Sequence, residues 1–597
     1  MGREPGTDGT ISAGPPWRAT YAHLLTLVGA FAFWAWWDRD LWFFGDEWDF
    51  LAQRGLWHLP ANPASIWFPH NEHWSTLPVL LWRALFSVFH LSSYWPYIIP
   101  VLVLQIGVMH LCWRLSLRAG VRPWVAVAAV GLLGFLGAGA EDLTWAFQVG
   151  FVGSVFFGLL AIELLDGYRP RGLMGAQAPA PRLVYASVAL LAGLMCSTIG
   201  DAMLVAAAVL AAARLPRKQA LWVIGPPLAL YVVWFAAVGR LGISAHSDRF
   251  SLTGASDIPN YIWSGLSSAL GQTFNLPSAG GALLVGMGAW TAYSSRRLWA
   301  RHPALLALVA GVVCFYALAA LGRDGSTVSA GVSRYVYVAV ALLVPLMGKL
   351  LSPARASGGA VFGAVGLLAL TALGNVGQAQ SWASARVALT SASKVQVVAT
   401  GRLLGEGVQF VSGPDAPPIG LLPNLAAGPL ARLARSDLLP DIPVPAFELI
   451  NARTALAVGT WNGSVTALTR HPVSSGRFVY QKSTFSSVSS HPGGCLALTP
   501  NSTSPVQTSP VQIWLRLAPG DNAASLLVIS PEAAAGTINY LAAVLVPPQG
   551  PTTSVPLELV VPHKGKGYLS DNDPEAELVI TWNVGTPITL CGLSGPS

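Results

Sequence analysis

Three carboxylates fall within four residues, Asp46, Glu47 and Asp49 of the run Gly45-Asp-Glu-Trp-Asp49, directly after the first membrane-length apolar stretch. A chain leaving a bilayer there sets them in the headgroup zone. Low dielectric opens carboxyl proton affinities to tuning at that depth, and a base near neutrality can take a proton from a hydroxyl group. Asp49 stands about one helical turn from Asp46 and can share its face. The plain alternative is an acidic helix start, favourable at that end of the helix dipole.

Further groups of this kind crowd the same segment, about residues 39–93. His70-Asn-Glu72-His73 spaces two imidazoles three apart with a carboxylate between them. On a helix both rings reach one face, where zinc or manganese ligation is one option and polar contacts to a bound molecule the other. No third ligand has a diagnostic spacing, so polar contacts are the reading adopted and no metal site is assigned. Trp42, Trp48, Trp57, Trp67 and Trp74 accompany them, either as an interfacial aromatic belt or as stacking faces around the acids. Glu141 and Asp142 form a second acidic pair with Gln148 about two turns further on. Solvation explains such a pair; gripping hydroxyls or a divalent cation explains it equally.

The elements that carry these groups are set by composition. The chain has 597 residues, 53% hydrophobic and 11% charged, with mean hydropathy +0.52. That is the make-up of a polytopic α-helical membrane protein. The net charge of +7 is spread over loops and does not point to nucleic acid. Hydropathy predicts eleven spans, at about 20–38, 94–113, 123–139, 146–165, 183–198, 201–213, 220–239, 279–294, 303–321, 335–350 and 358–376. Two of them meet at a turn in Ser197-Thr-Ile-Gly-Asp201. Leu77-Pro-Val-Leu-Leu-Trp-Arg-Ala-Leu-Phe86 reads as an amphipathic helix lying along the interface.

Orientation follows from the cations, which stay cytoplasmic during insertion. Sixteen lie in segments assigned inside: Arg3, Arg18, Arg114, Arg118, Arg122, Arg169, Arg171, Arg182, Arg214, Arg217, Lys218, Arg296, Arg297, Arg301, Lys349 and Arg355. Seven lie outside: Arg39, Arg54, Arg83, Arg240, Arg249, Arg323 and Arg334. This predicts a multi-pass plasma-membrane protein with the Asp46 loop and everything after about 377 outside. The N-terminal segment lacks a small-residue cleavage site and reads as a retained anchor.

From about 378 the composition turns to Ser, Thr, Pro and Gly. A short helical part, 378–440, is expected to precede a β-sandwich over 441–597, built from runs such as Val511-Gln-Ile-Trp-Leu-Arg-Leu and Glu577-Leu-Val-Ile-Thr-Trp. Trp461, Tyr480, Trp514, Tyr568 and Trp582 are available there for carbohydrate, although burial is their commoner fate. Of five cysteines, Cys112, Cys196 and Cys314 lie in spans and read as inert packing. Cys495 and Cys591 can bridge the end of the chain to the sandwich in an oxidising compartment.

An acidic pair in the first outer loop, an interfacial helix after it, about eleven spans and an external β-domain together resemble the C-type membrane glycosyltransferases (GT-C), in particular their actinobacterial members. The high Ala, Gly and Trp content fits a high-GC source. Trp67-Phe-Pro-His-Asn-Glu-His-Trp74 and Glu141-Asp-Leu-Thr-Trp-Ala-Phe-Gln148 add to the likeness. The resemblance implies a polyprenyl-phosphate sugar as donor, a cell-envelope glycan or glycolipid as acceptor, and transfer with inversion. The lipid phosphate is already a good leaving group, so one carboxylate suffices as base. Asp46 is the candidate base, with Glu47 orienting the acceptor or substituting for it. Trp48, Asp49, His70, Glu72, His73, Glu141, Asp142 and Gln148 are candidate acceptor or sugar contacts.

A departing phosphate gains charge, and fixed arginines stabilise it. Arg334 in Ser333-Arg-Tyr-Val-Tyr, Arg249 and Arg323 are the outer-side candidates, Arg334 foremost, although a snorkelling helix-end arginine has the same sequence signature. No cofactor is demanded, with a divalent cation the one option left open. Two other classes remain: a transporter or flippase for lipid-linked saccharide, and a non-catalytic membrane-anchored carbohydrate-binding protein. The first ordinarily shows midplane charges and inverted repeats; the second needs no elongated acidic loop.

Overall fold

The computed structural model describes residues 17–52, 54, 63–168, 181–243, 252–323, 329–352, 358–410 and most of 413–456, and beyond 458 the strands. For residues 358–370 and nearly all strand positions the backbone alone is described. The chain divides into two compact units: Met1–Trp42, Arg54–Phe89 and Ser93–Leu389 form one, while Phe43–Gln53, His90–Ser92 and Thr390–Ser597 form the other.

In chain order the helices are α1 (Trp17–Asp38), α2 (Glu47–Ala52), α3 (Thr76–Phe89), α4 (Trp95–Arg118), α5 (Pro123–Gly134), α6 (Ala140–Leu143), α7 (Val149–Asp166), α8 (Pro181–Leu194) and α9 (Ile199–Arg214). They continue with α10 (Arg217–Trp234), α11 (Arg240–Ile243), α12 (Leu252–Thr273), α13 (Gly280–Arg301), α14 (Pro303–Arg323), α15 (Ser333–Leu350), α16 (Gly358–Gly405) and α17 (Ala427–Arg435).

Among the described residues, six stretches are long and apolar enough to cross a membrane: α1, α4, Ala146–Asp166, Arg217–Gly242, Pro303–Gly322 and α15. A seventh arises if α5 and Gly137–Leu143, bent by 44°, count as one broken span. Of the eleven spans expected, these are the ones that meet that test of length and hydropathy among the described residues. Helices α8 and α9 have 14 and 16 residues, roughly 21 and 24 Å at 1.5 Å per residue, short of a hydrocarbon core of roughly 30 Å. They do meet at the predicted turn, between Leu194 and Ile199. The last expected span, 358–376, is only the first part of the 48-residue α16, which runs on through the expected boundary at 377.

Burial separates core helices from lipid-facing ones. In α15, 83% of the apolar window is buried, against 17% in Arg217–Gly242. A helix apolar all round belongs inside a bundle, and one that leaves Leu221, Trp222, Leu230 and Val233 exposed has acyl chains as its natural neighbour. Helix α7 packs on α4, α8 and α9, and α15 on α4, α5, α12 and α14.

The polar groups at helix ends sort into two sets. Arg114 and Arg118 pair with Glu163 at 2.7 and 2.6 Å, Arg214 pairs with Asp166 at 3.2 Å, and Lys349 donates to the Ala119 carbonyl at 2.6 Å. These segments all carry cations assigned to the inner side, and they meet one another. At the opposite helix ends, segments assigned outside meet likewise: Arg334 with Glu141, His73 with Thr198, and Trp234 with Trp67.

The break after α5 is held by a close approach. A Cβ added at Gly137 stands 1.8 Å from the Asn375 carbonyl oxygen of α16. Asn375 also accepts from Ala138 N through Oδ1 at 3.3 Å and donates to Thr273 O at 2.9 Å. Gly137→Ala is expected to force these backbones apart and lower the thermal midpoint of detergent-solubilised protein by several degrees, whereas Gly286→Ala, where nothing lies within 4 Å, leaves it unchanged.

In the second unit the end of α16 packs on α17, with Gly401 against Leu430 and Leu439. Two six-stranded sheets follow. The first runs β1 (Gly459–Trp461), β9 (Gly567–Ser570), β6 (Leu527–Pro531), β11 (Ile588–Cys591), β4 (Cys495–Thr499), β3 (Ser487–His491). The second runs β12 (Leu593–Ser594), β2 (Phe478–Ser483), β5 (Val511–Leu517), β10 (Glu577–Trp582), β7 (Asn539–Val546), β8 (Leu557–Val561). All pairings are antiparallel except β12 with β2. The side chains of Trp461, Tyr480, Trp514, Tyr568 and Trp582 lie outside the described residues.

Candidate functional site

In the first unit the second acidic pair and the arginine heading α15 come together across 193 residues. Glu141 Oε1 accepts from Arg334 Nη1 at 3.0 Å, and Oε2 accepts from the Arg334 backbone N–H at 3.3 Å. The Glu141 N–H donates to Ser333 Oγ at 3.1 Å. Glu141 thus caps the first turn of α15 from another helix while neutralising its arginine. The guanidinium side chain is 22% exposed and its pairing occupies Nη1, leaving a fork of donors beside it. It also lies over the Tyr335 ring, 5.7 Å from the centroid.

Of the two readings of Glu141 and Asp142, simple solvation does not fit: they are 9% and 0% exposed. Helix α6 follows the bend closed by Gly137, which turns the two acids into the bundle instead of toward water. Both Asp142 carboxylate oxygens lack a hydrogen-bond partner among the described residues, a costly arrangement for a buried carboxylate. Gln148 is buried nearby in sequence at 2% exposure. Beside Asp142 on α15, Tyr337 donates to Gln105 Oε1 at 2.5 Å.

The first acidic group belongs to the second unit. Gly45 adopts φ 56°, the left-handed region that glycine tolerates, and its carbonyl receives the Trp48 N–H at 3.1 Å as α2 begins. Glu47 is fully buried as the first residue of α2 and accepts the Phe44 N–H at 2.7 Å, closing the turn that leads into the helix. This is the alternative role, an acidic helix start, for one of the two acids. Asp46 is half-buried and accepts from Asn424 Nδ2 at 3.2 Å; Asp49 is half-buried too. Trp48 is 0% exposed against Phe43, ring centroids 6.2 Å apart, so its predicted use as an open stacking face is corrected to packing.

The 70–73 segment is not helical, which corrects the premise that its rings share a helix face. His70 and His73 exchange backbone hydrogen bonds at 3.0 and 2.9 Å around a turn in which Asn71 has φ 51°. Pro69 and the αL-tolerant Asn favour this turn. The Nδ1 atom of His73 accepts the Thr198 N–H at 3.3 Å and lies 2.8 Å from Thr198 Oγ1. That fixes the neutral ring's proton on Nε2, 3.8 Å from Glu72 Oε1. The segment before it is pinned by Arg54, whose guanidinium donates to the carbonyls of Ser65, Phe68 and Pro69 at 2.8–2.9 Å. Arg83 donates to the Arg54 carbonyl and to Ser65 Oγ.

Trp74 stacks on Trp234 at 4.9 Å, and Tyr231 beside them donates to Asp201 at 2.9 Å, immediately before a π-helical stretch, Phe235–Gly239. Arg249 lies outside the described residues, and so does the side chain of Arg323. Sequence reasoning missed Ser333, Thr198, Asn424 and the Asp201–Tyr231 pair as site neighbours. It also missed Arg386, which is buried over Trp145 at 5.2 Å. Each owes its place to contacts between segments far apart in sequence, and local spacing carries no trace of them.

No protein-family model matches the chain, and no curated protein does. Among solved structures the chain is similar to the crystal structure of ArnT from Cupriavidus metallidurans bound to undecaprenyl phosphate. The identity is 13%, the match covers 73% of this chain and 88% of that one, and the TM-score is 0.41.

Proposed function

We propose that the chain is an inverting membrane glycosyltransferase of the C type. It moves a sugar from a polyprenyl-phosphate donor to a cell-envelope glycan or glycolipid on the outer face of the plasma membrane, in an actinobacterial setting. Asp46 takes the proton of the acceptor hydroxyl as that oxygen attacks the anomeric carbon. Arg334 binds the lipid phosphate and stabilises the charge it gains on leaving. Glu47 shapes the Asp46 turn by accepting the Phe44 N–H. Asp49, His70, Glu72, His73 and Gln148 contact acceptor or sugar, and the two sheets pack as an external β-sandwich. Arg249 and Arg323 are secondary phosphate contacts.

The observation that carries this reading is the Arg334–Glu141 pair. An arginine that merely snorkels at a helix end turns toward headgroups. Here Arg334 is held from two sides by one buried carboxylate, and among the described residues Nη2 and Nε are not paired, leaving a fork that fits phosphate oxygens. Glu141 fixes the guanidinium without using it up, as preorganised charge stabilisation requires.

The test is binding of a polyprenyl phosphate to protein in nanodiscs. Arg334→Gln is expected to weaken it roughly 10–100-fold, the value of a charge-assisted contact of about 1.5–3 kcal/mol. Arg334→Lys, which keeps charge but not fork geometry, is expected to fall between. Equal binding by all three proteins removes Arg334 from the donor site.

A further inference from the structure

Three chemistry-bearing residues stand in one row across three neighbouring strands. Cys495 of β4 is directly opposite His491 of β3 on one side and Cys591 of β11 on the other. Opposed positions of antiparallel strands lie on the same face of a sheet, and alternation tells which face this is. Leu496 and Leu498 of β4 pair with Leu590 and Ile588, whereas Cys495 and Ala497 pair with Cys591 and Thr589. Leu498 is fully buried and Thr499 is exposed, so the Cys–Cys–His row belongs to the polar face. Hydrophobic packing therefore gives no reason for two thiols at these positions.

We propose that Cys495 and Cys591 are joined by a disulfide across β4 and β11, and that His491 makes the Cys495 sulfur the leaving group when the bond exchanges. Directly opposed Cα positions lie roughly 4.5–5.5 Å apart, inside the window of roughly 4.4–6.8 Å for a disulfide. A neighbouring imidazole favours the thiolate, and the thiol of lower proton affinity leaves faster. His491-Pro-Gly-Gly-Cys495 keeps the two groups close along the chain as well.

The bond forms by exchange with an oxidised dithiol oxidoreductase. One thiolate of the chain attacks the donor disulfide, and the second attacks the resulting mixed disulfide. Two S–H bonds are lost and one S–S bond is gained here, while two electrons and two protons pass to the donor, which leaves as a dithiol. This rests on the reading that the second unit lies in an oxidising compartment outside the membrane.

The full-length protein in native membranes is alkylated with N-ethylmaleimide and digested without reductant. A crosslinked peptide joining residues 495 and 591 is expected, and recovery of both as alkylated thiols overturns the disulfide. The purified, unalkylated chain incubated with glutathione disulfide then locates the error: the same crosslink formed in vitro shows that the compartment was misassigned, and none shows that the pairing was. Zinc released from the purified protein by thiol modification overturns the disulfide in favour of a Cys495–Cys591–His491 metal site. Cys495→Ser, Cys591→Ser and the double variant are expected to lower the thermal midpoint equally, because each removes the same bond; additive losses overturn it. His491→Gln is expected to slow reduction by glutathione several-fold at neutral pH, and an unchanged rate overturns the role of His491.

Discussion

Asp46→Asn is expected to cut sugar transfer by roughly 10²–10⁴-fold, the usual worth of a general base, while the protein still folds and inserts. The amide oxygen of asparagine keeps an acceptor for Asn424 Nδ2, so that contact survives while the group able to take a proton is gone. Proteoliposomes supplied with a panel of polyprenyl-phosphate sugars and an envelope glycan provide the assay, with kcat as the quantity compared. Glu47→Gln is the matched control. Its amide oxygen still accepts the Phe44 N–H, so turnover should fall far less than for Asp46→Asn. If Asp46→Asn turns over like the parent, the base lies elsewhere, and a Glu47 variant that fails instead would nominate that residue.

Glu141→Ala is expected to be the most damaging single change in the first unit. It strips the charge partner from Arg334 and leaves the Arg334 backbone N–H without its acceptor at the start of α15. Breaking a largely buried pair by removing one partner costs about 3 kcal/mol, because the remaining charge stays uncompensated. Since α15 is the most enclosed of the membrane-length helices, the loss should appear as a lower midpoint in a thermal-aggregation assay of solubilised protein. Adding Arg334→Met to Glu141→Ala should recover part of that stability, because the orphaned charge is gone, and recover none of the phosphate binding. A double variant no more stable than Glu141→Ala would show that the pair is not the source of the loss.

Much of the helical frame was legible in the chain. Apolar runs at 20–38, 303–321 and 335–350 fall within α1, α14 and α15, because each run has one answer to its hydropathy whatever surrounds it. The helix after the acidic loop was legible too, with Val79, Trp82 and Phe86 buried along one side of α3. The number of membrane crossings was less legible, since short apolar helices such as α8 bury one side and expose Val184, Tyr185 and Val188 on the other, and apolarity alone does not say which helices cross. Within the site, Glu141 and Arg334 were each visible as outliers, charged residues at apolar boundaries. Their pairing was not, because nothing within either segment encodes a partner 193 residues away. The His70–His73 turn was not legible as such: a spacing of three suits a helix face and also a tight turn whose ends pair.

What the sequence determined by itself is local and additive: a membrane-embedded helical frame, a Ser/Thr/Pro/Gly-rich second part with strands, and a short set of ionisable residues at apolar boundaries. Hydropathy and strand alternation sum over neighbours in the chain, so they survive ignorance of the fold. Only the tertiary structure decided that Glu47 closes the turn before α2 and Trp48 is packing, that Glu141 reaches across to cap α15, and that Cys495 and Cys591 share a register position. Those facts depend on which buried surfaces meet, and burial is a property of the whole chain's packing that no single segment carries.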